Sequence, residues 1–183
     1  MRNVFKFDDR VWLLWAAGIL LLPLKWIFAA ATAAMVHEMF HWVSVWLLGG
    51  RIYTVTVKPF GVVMEADGIS GIGETVCALA GPVGSFCLVT VVSRFPMLGI
   101  CALVQGLFNC LPVYPLDGGR VLRSLLEATV PAHAEWICCW VERAVLLLLF
   151  GVAVFLYVRY SPAVFPVLFL VFVIGSALSR KRP

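Results

Sequence analysis

Charge is scarce in this sequence. Asp, Glu, Lys and Arg make up 13% of its 183 residues, about half the share carried by soluble globular domains. So few charges cannot cover a water-facing exterior, and the 62% apolar content with a mean hydropathy of +0.99 points to lipid as the outer solvent. The net charge of +4 is spread over short clusters between apolar stretches, such as Arg2, Lys6 and Arg10 or Arg180, Lys181 and Arg182, so no nucleic-acid face forms. No C-x-x-C pair occurs among Cys77, Cys87, Cys101, Cys110, Cys138 and Cys139; all six sit in apolar segments and read as small buried hydrophobes. Internal repeats and low-complexity linkers are absent. Asp8 and Asp9 intervene between the first basic residues and the first apolar run, and no small-residue cleavage site follows clearly, which argues against a signal peptide. The expectation is a single domain over residues 1–183 with no separate soluble module.

What the sequence does have is long apolar runs. A membrane-spanning helix needs ~20 of them in a row, and six candidates appear: residues 11–24, 26–48, 73–93, 97–128 (broken at Pro112 and Pro115), 134–158 and 163–179. Glu135, Glu142 and Arg143 give the start of the fifth an interfacial character. The expected fold is therefore an all-α polytopic membrane protein of about six transmembrane helices. An even count puts both termini on one side. The positive-charge bias makes that side cytoplasmic: Arg51, Lys58, Arg120 and Arg123 join the terminal clusters there, against Lys25, Arg94 and Arg159 opposite. The second span then carries residues 37–41 near mid-membrane or somewhat toward the cytoplasm.

Residues 51–66 break the helical pattern. Ile52, Thr54, Thr56, Val62 and Val63 are β-branched, and Pro59-Phe60-Gly61 is a turn signal between two short runs. A small membrane-associated β-hairpin or sheet is expected between the second and third helices. Its open edge must pack in protein, face a watery cavity or lie at the interface, and it offers a place for an extended peptide to add as a strand.

The second span contains His37-Glu38-Met39-Phe40-His41, an H-E-x-x-H pattern. On a helix the two histidines share a face and can bind one zinc, with Glu38 close enough to serve as general base. Three polar groups inside an apolar span are costly and rarely occur without a functional reason. A catalytic zinc takes three protein ligands and one open position. His133, beside Pro131 and Glu135, reads as ordinary surface; Asp117 is the better third ligand, because Pro112 and Pro115 interrupt an apolar helix just before it and Gly118 and Gly119 permit close backbone approach. Asp117 can also cap the helix that resumes at Gly118. Two decoys are set aside: Gly68-Ile69-Ser70-Gly71 resembles a serine-protease G-x-S-G but lies in a polar connection, and Met35 and Met39 read as packing residues rather than ligands.

With H-E-x-x-H and the downstream Asn109-x-x-Pro112-x-x-Pro115-Leu116-Asp117-Gly118 both intact, the chain resembles the site-2 protease family of intramembrane zinc metalloproteases, over roughly residues 30–125. Gly81-Pro82 is similar to that family's small-residue patch on the next helix. Lys58-Pro59-Phe60-Gly61 is similar to the hairpin of the bacterial sporulation branch, although Val62 stands where that branch often has a second glycine. The resemblance implies one zinc per chain on His37, His41 and Asp117, water activation by Glu38, and substrate or oxyanion contact from Asn109. It also implies a multi-pass protein of the bacterial cell membrane that cuts a membrane-embedded or membrane-tethered substrate, with room for a separate regulatory membrane protein. Rival classes are a zinc-binding transporter, which would spread polar sites along a path, and a non-proteolytic scaffold, which would usually have lost the glutamate.

Overall fold

The computed structural model describes residues 5–7, 20, 22–58 and 61–160. The expected first span, residues 11–24, falls almost wholly outside these residues, as does all of the sixth, 163–179. The chain divides into two compact units, Met1–Cys110 and Leu111–Pro183.

The first unit holds strand β1 (Phe5–Phe7), helix α1 (Leu24–Leu47), strands β2 (Arg51–Lys58) and β3 (Gly61–Asp67), and helices α2 (Ile72–Val89) and α3 (Pro96–Asn109). Alpha-helix formation in α1 follows from the run Ala29-Ala30-Ala31-Thr32-Ala33-Ala34, rich in the strongest helix former. Pro23 precedes its first turn, and Gly49 (φ +76°) ends it: Gly49 N–H donates to the Trp46 carbonyl and Gly50 N–H to the Val45 carbonyl, at 3.1 and 2.9 Å. This is a Schellman cap, which requires the left-handed backbone that glycine adopts at low cost.

The three helices pack pairwise, and what lies between them is small. Ala33, Cys77, Ala78, Gly81, Gly84, Ser85, Ala102 and Gly106 are buried, and the largest fully buried side chain among the described residues is that of Ser85. Large apolar side chains point outward instead: Phe28, Met35, Met39, Trp42 and Trp46 along α1, and Ile72, Val76, Leu79 and Val83 along α2. Such an inversion is what lipid permits, since helices in a membrane associate through close backbone approach rather than by hiding apolar surface.

The expected hairpin is present as part of a three-stranded sheet of order β1-β2-β3. β2 and β3 run antiparallel from Arg51↔Asp67 to Lys58↔Gly61, with an irregularity between Ile52 and Thr54; the expected turn residues Pro59 and Phe60 lie outside the described residues. β1 adds in parallel on the other side of β2, Phe5 opposite Val55. Among the described residues, β3 is thus an edge.

The second unit holds helices α4 (Asp117–Thr129) and α5 (Ala134–Tyr160), which pack together. The expected fourth span, 97–128, is not one helix. α3 ends at Asn109, and α4 is a separate amphipathic helix with Arg120, Arg123 and Glu127 on it; at 13 residues it is ~20 Å long, short of a ~30 Å hydrocarbon core. Among the described residues, two helices, α2 and Ala134–Phe155 of α5, are long and apolar enough to cross a membrane. α1 has the length, 24 residues, but His37, Glu38 and His41 interrupt its apolar run. The described cysteines form no disulfide, and the expectation that all are buried holds only for Cys77; Cys87 and Cys110 are exposed.

Candidate metal centre

The inward face of α1 reads Ala33, His37, His41, Ser44 and Val45, a step of about one turn at a time, so the i, i+4 spacing brings both imidazoles against α2. Helix α2 meets them with backbone. A Cβ on Gly81 would run into His41 Nε2 and would stand 2.7 Å from His37 Nε2; one on Gly84 would meet the Phe40 ring at 2.5 Å. Any side chain at 81 would occupy the space in front of the two nitrogens. Gly81 and Gly84, with Pro82 buried between them, therefore give the small-residue patch its physical reason.

Both Nδ1 atoms are engaged by α2. His41 Nδ1 donates to the Cys77 carbonyl at 2.7 Å, and His37 Nδ1 lies 2.9 Å from Ser85 Oγ. A carbonyl can only accept, so His41 carries its proton on Nδ1 and presents a bare Nε2 lone pair. The two Nε2 atoms are 3.3 Å apart. Two ligands held ~2.0–2.1 Å from a tetrahedral zinc lie ~3.3–3.4 Å from each other. The pair thus already has the edge length that zinc demands, with outer hydrogen bonds of the sort that orient metal-binding histidines.

Glu38 follows His37 on α1 and is half-buried. Asn109, the last residue of α3, is half-buried, and its Nδ2 donates to the Gln105 carbonyl at 3.1 Å. In the second unit, Asp117 is buried and is the first residue of α4. The N-cap position is Leu116, and the Asp117 carboxylate sits in the first turn, where the helix dipole favours negative charge. Arg120, one turn on, lies 3.8 Å from it. A Cβ on Gly119 would meet the Val113 carbonyl carbon at 2.5 Å and Tyr114 N at 2.6 Å, so the proline-containing segment folds back onto the first turn of α4. His133 and Ser70 are exposed, as expected of surface and loop residues, and Met35 and Met39 face outward rather than toward the histidines. Sequence reasoning missed Ser85 and the Cys77 carbonyl: a serine in an apolar helix has no pattern of its own, and a backbone carbonyl carries no sequence signal.

Residues 62–149 match Peptidase family M50. The chain is 32% identical over 109 residues, 52% of its length, to "Zinc metalloprotease MJ0392" of Methanocaldococcus jannaschii, and the matched stretch spans about a third (32%) of that relative's length. In fold it is similar to the "Site-2 Protease from Methanocaldococcus jannaschii", with a TM-score of 0.71 at 22% identity, covering 98% of this chain and 91% of that one. Motifs, family match and fold point the same way: residues 62–149 match Peptidase family M50, and the fold is similar to that of a site-2 protease.

Proposed function

We propose that this chain is an intramembrane zinc metalloprotease that hydrolyses a peptide bond in or near the transmembrane segment of a membrane-tethered protein. The observation that carries the reading is the His37–His41 pair, its Nε2 atoms 3.3 Å apart and its Nδ1 atoms engaged behind. His37, His41 and Asp117 hold one zinc. Zinc in such a site supplies Lewis acidity, activating water near neutral pH and polarising a carbonyl oxygen. Glu38, next to His37 on α1, takes the proton of the attacking water and returns it to the leaving amine. Asn109 donates its amide to the oxygen that becomes negative as the carbonyl is attacked, a role worth ~10²–10³ in rate for one such donor. Charge developing on the imidazoles is spread to the Cys77 carbonyl and the Ser85 hydroxyl.

The wider setting belongs to the same proposal. About six spans cross a bacterial cell membrane with both termini in the cytoplasm, and a separate membrane protein regulates access. The hairpin likeness favours the sporulation-type branch, in which the released product is a transcription factor. Transport is disfavoured, because the polar groups of α1 converge on one point rather than lining a path.

Co-expression with single-span substrates tests the reading. Glu38→Gln should retain bound zinc and lower cleavage by at least ~10²-fold, the scale of a lost general base. Persisting cleavage would remove Glu38 as the base, and a wild-type protein that neither binds zinc nor shortens any substrate would remove the assignment.

A further inference from the structure

Ser85 stands out once the histidines' outer contacts are compared. It is fully buried on α2, with its Oγ 2.9 Å from His37 Nδ1. His41 has a carbonyl partner, which can only accept; His37 has a hydroxyl, which can both donate and accept. The 3.3 Å between the two Nε2 atoms suits two arrangements. With zinc between them both Nε2 atoms must be bare, so His37 carries its proton on Nδ1 and donates it to Ser85. Without an ion, two bare lone pairs at that distance repel. The pair is then relieved if His37 holds its proton on Nε2 and donates it to His41, while the Ser85 hydroxyl turns to donate to His37 Nδ1.

Resting on the zinc reading above, we infer that Ser85 is a positioning residue whose hydroxyl reverses direction as zinc arrives, keeping the His37 ring in one place while its proton changes nitrogen. Neither a carbonyl nor an alanine could serve both states. The site is held open-handed by one hydroxyl and closed by the same one, so zinc enters without rotation of the ring. Gly106 packs against this point, its would-be Cβ 3.1 Å from Ser85 Cβ, which leaves no room for a longer side chain to do the same.

The test uses the full chain in lipid discs, zinc alone as ligand, and two readouts. A competing chelator measures zinc affinity, and nitrogen NMR of labelled histidine at alkaline pH reports which ring nitrogen carries the proton. In the wild type, His37 should be protonated on Nε2 without zinc and on Nδ1 with it, and His41 on Nδ1 in both. Ser85→Ala should bind zinc about 10- to 100-fold more weakly, the usual cost of losing an outer-shell partner, and should mix the His37 tautomers while leaving His41 unchanged. Ser85→Cys, which keeps the shape with a weaker donor and acceptor, should fall between and serves if the alanine variant does not fold. Equal zinc affinity in the wild type and Ser85→Ala, or a His37 proton on Nδ1 in both wild-type states, overturns the inference. A wild type that binds no zinc defeats the zinc reading, and the metal-free tautomer then decides the role of Ser85 on its own.

Discussion

Gly81 is the residue on which the two imidazoles depend most directly, although it contributes no atom to bind anything. Its missing side chain is the space in front of His41 Nε2 and His37 Nε2. Gly81→Ala should therefore displace α2 or turn a ring. The expected result is a loss of ~1–3 kcal/mol in stability, typical of overpacking, together with loss of bound zinc; metal analysis and thermal unfolding in detergent measure the two separately. Normal zinc content in that variant would show that the imidazoles do not meet the ion where their Nε2 atoms now face. That the two histidines proposed as ligands share one face was legible from the sequence, because the i, i+4 rule is local. The groups behind them were not, because Ser85 lies 48 residues from His37 and Cys77 lies 36 from His41, and only packing of α1 on α2 brings them together.

At the level of elements, the β-region was readable from its β-branched alternation, and its observed limits differ from the expected 51–66 by one residue. Strand β1 was not: three residues, Phe5–Phe7, carry too little pattern to separate a strand from the basic, apolar start of the chain. The break before Asp117 was legible from its prolines. That α4 is a helix in its own right was masked by reading 97–128 as one interrupted run. The described sheet has two edges, β1 and β3, and a substrate segment that adds as a strand has its longer run on β3, seven residues against three. Consecutive residues of an edge strand point their N–H groups to opposite sides, so one of Met64→Pro and Glu65→Pro removes an outward amide and the other a ladder bond. The outward one should slow cleavage several-fold with zinc content unchanged. Unaltered cleavage in both variants would remove strand addition from the mechanism.

For the whole molecule, the proposed six-span arrangement makes a plain demand: reporters fused to the first and last residues should both register the cytoplasm. Opposite readings would mean an odd number of spans, and a first residue outside the cytoplasm would invert the expected depth of residues 37–41. The apolar composition made a membrane setting legible from the start, yet it could not say which helices touch, because lipid-facing and protein-facing positions are both apolar here. The interior in which, among the described residues, no fully buried side chain exceeds Ser85 carries a consequence for variation. In a water-soluble protein the outside tolerates change and the inside tolerates swaps among large apolar residues. Here the bulky outer positions, Phe28 or Trp46 among them, can trade size freely so long as they stay oily, whereas one added methyl at the seam between α1 and α2 pries the helices apart. Drift in this chain is thus steered to its greasy periphery, and its narrow middle is held to the smallest side chains available.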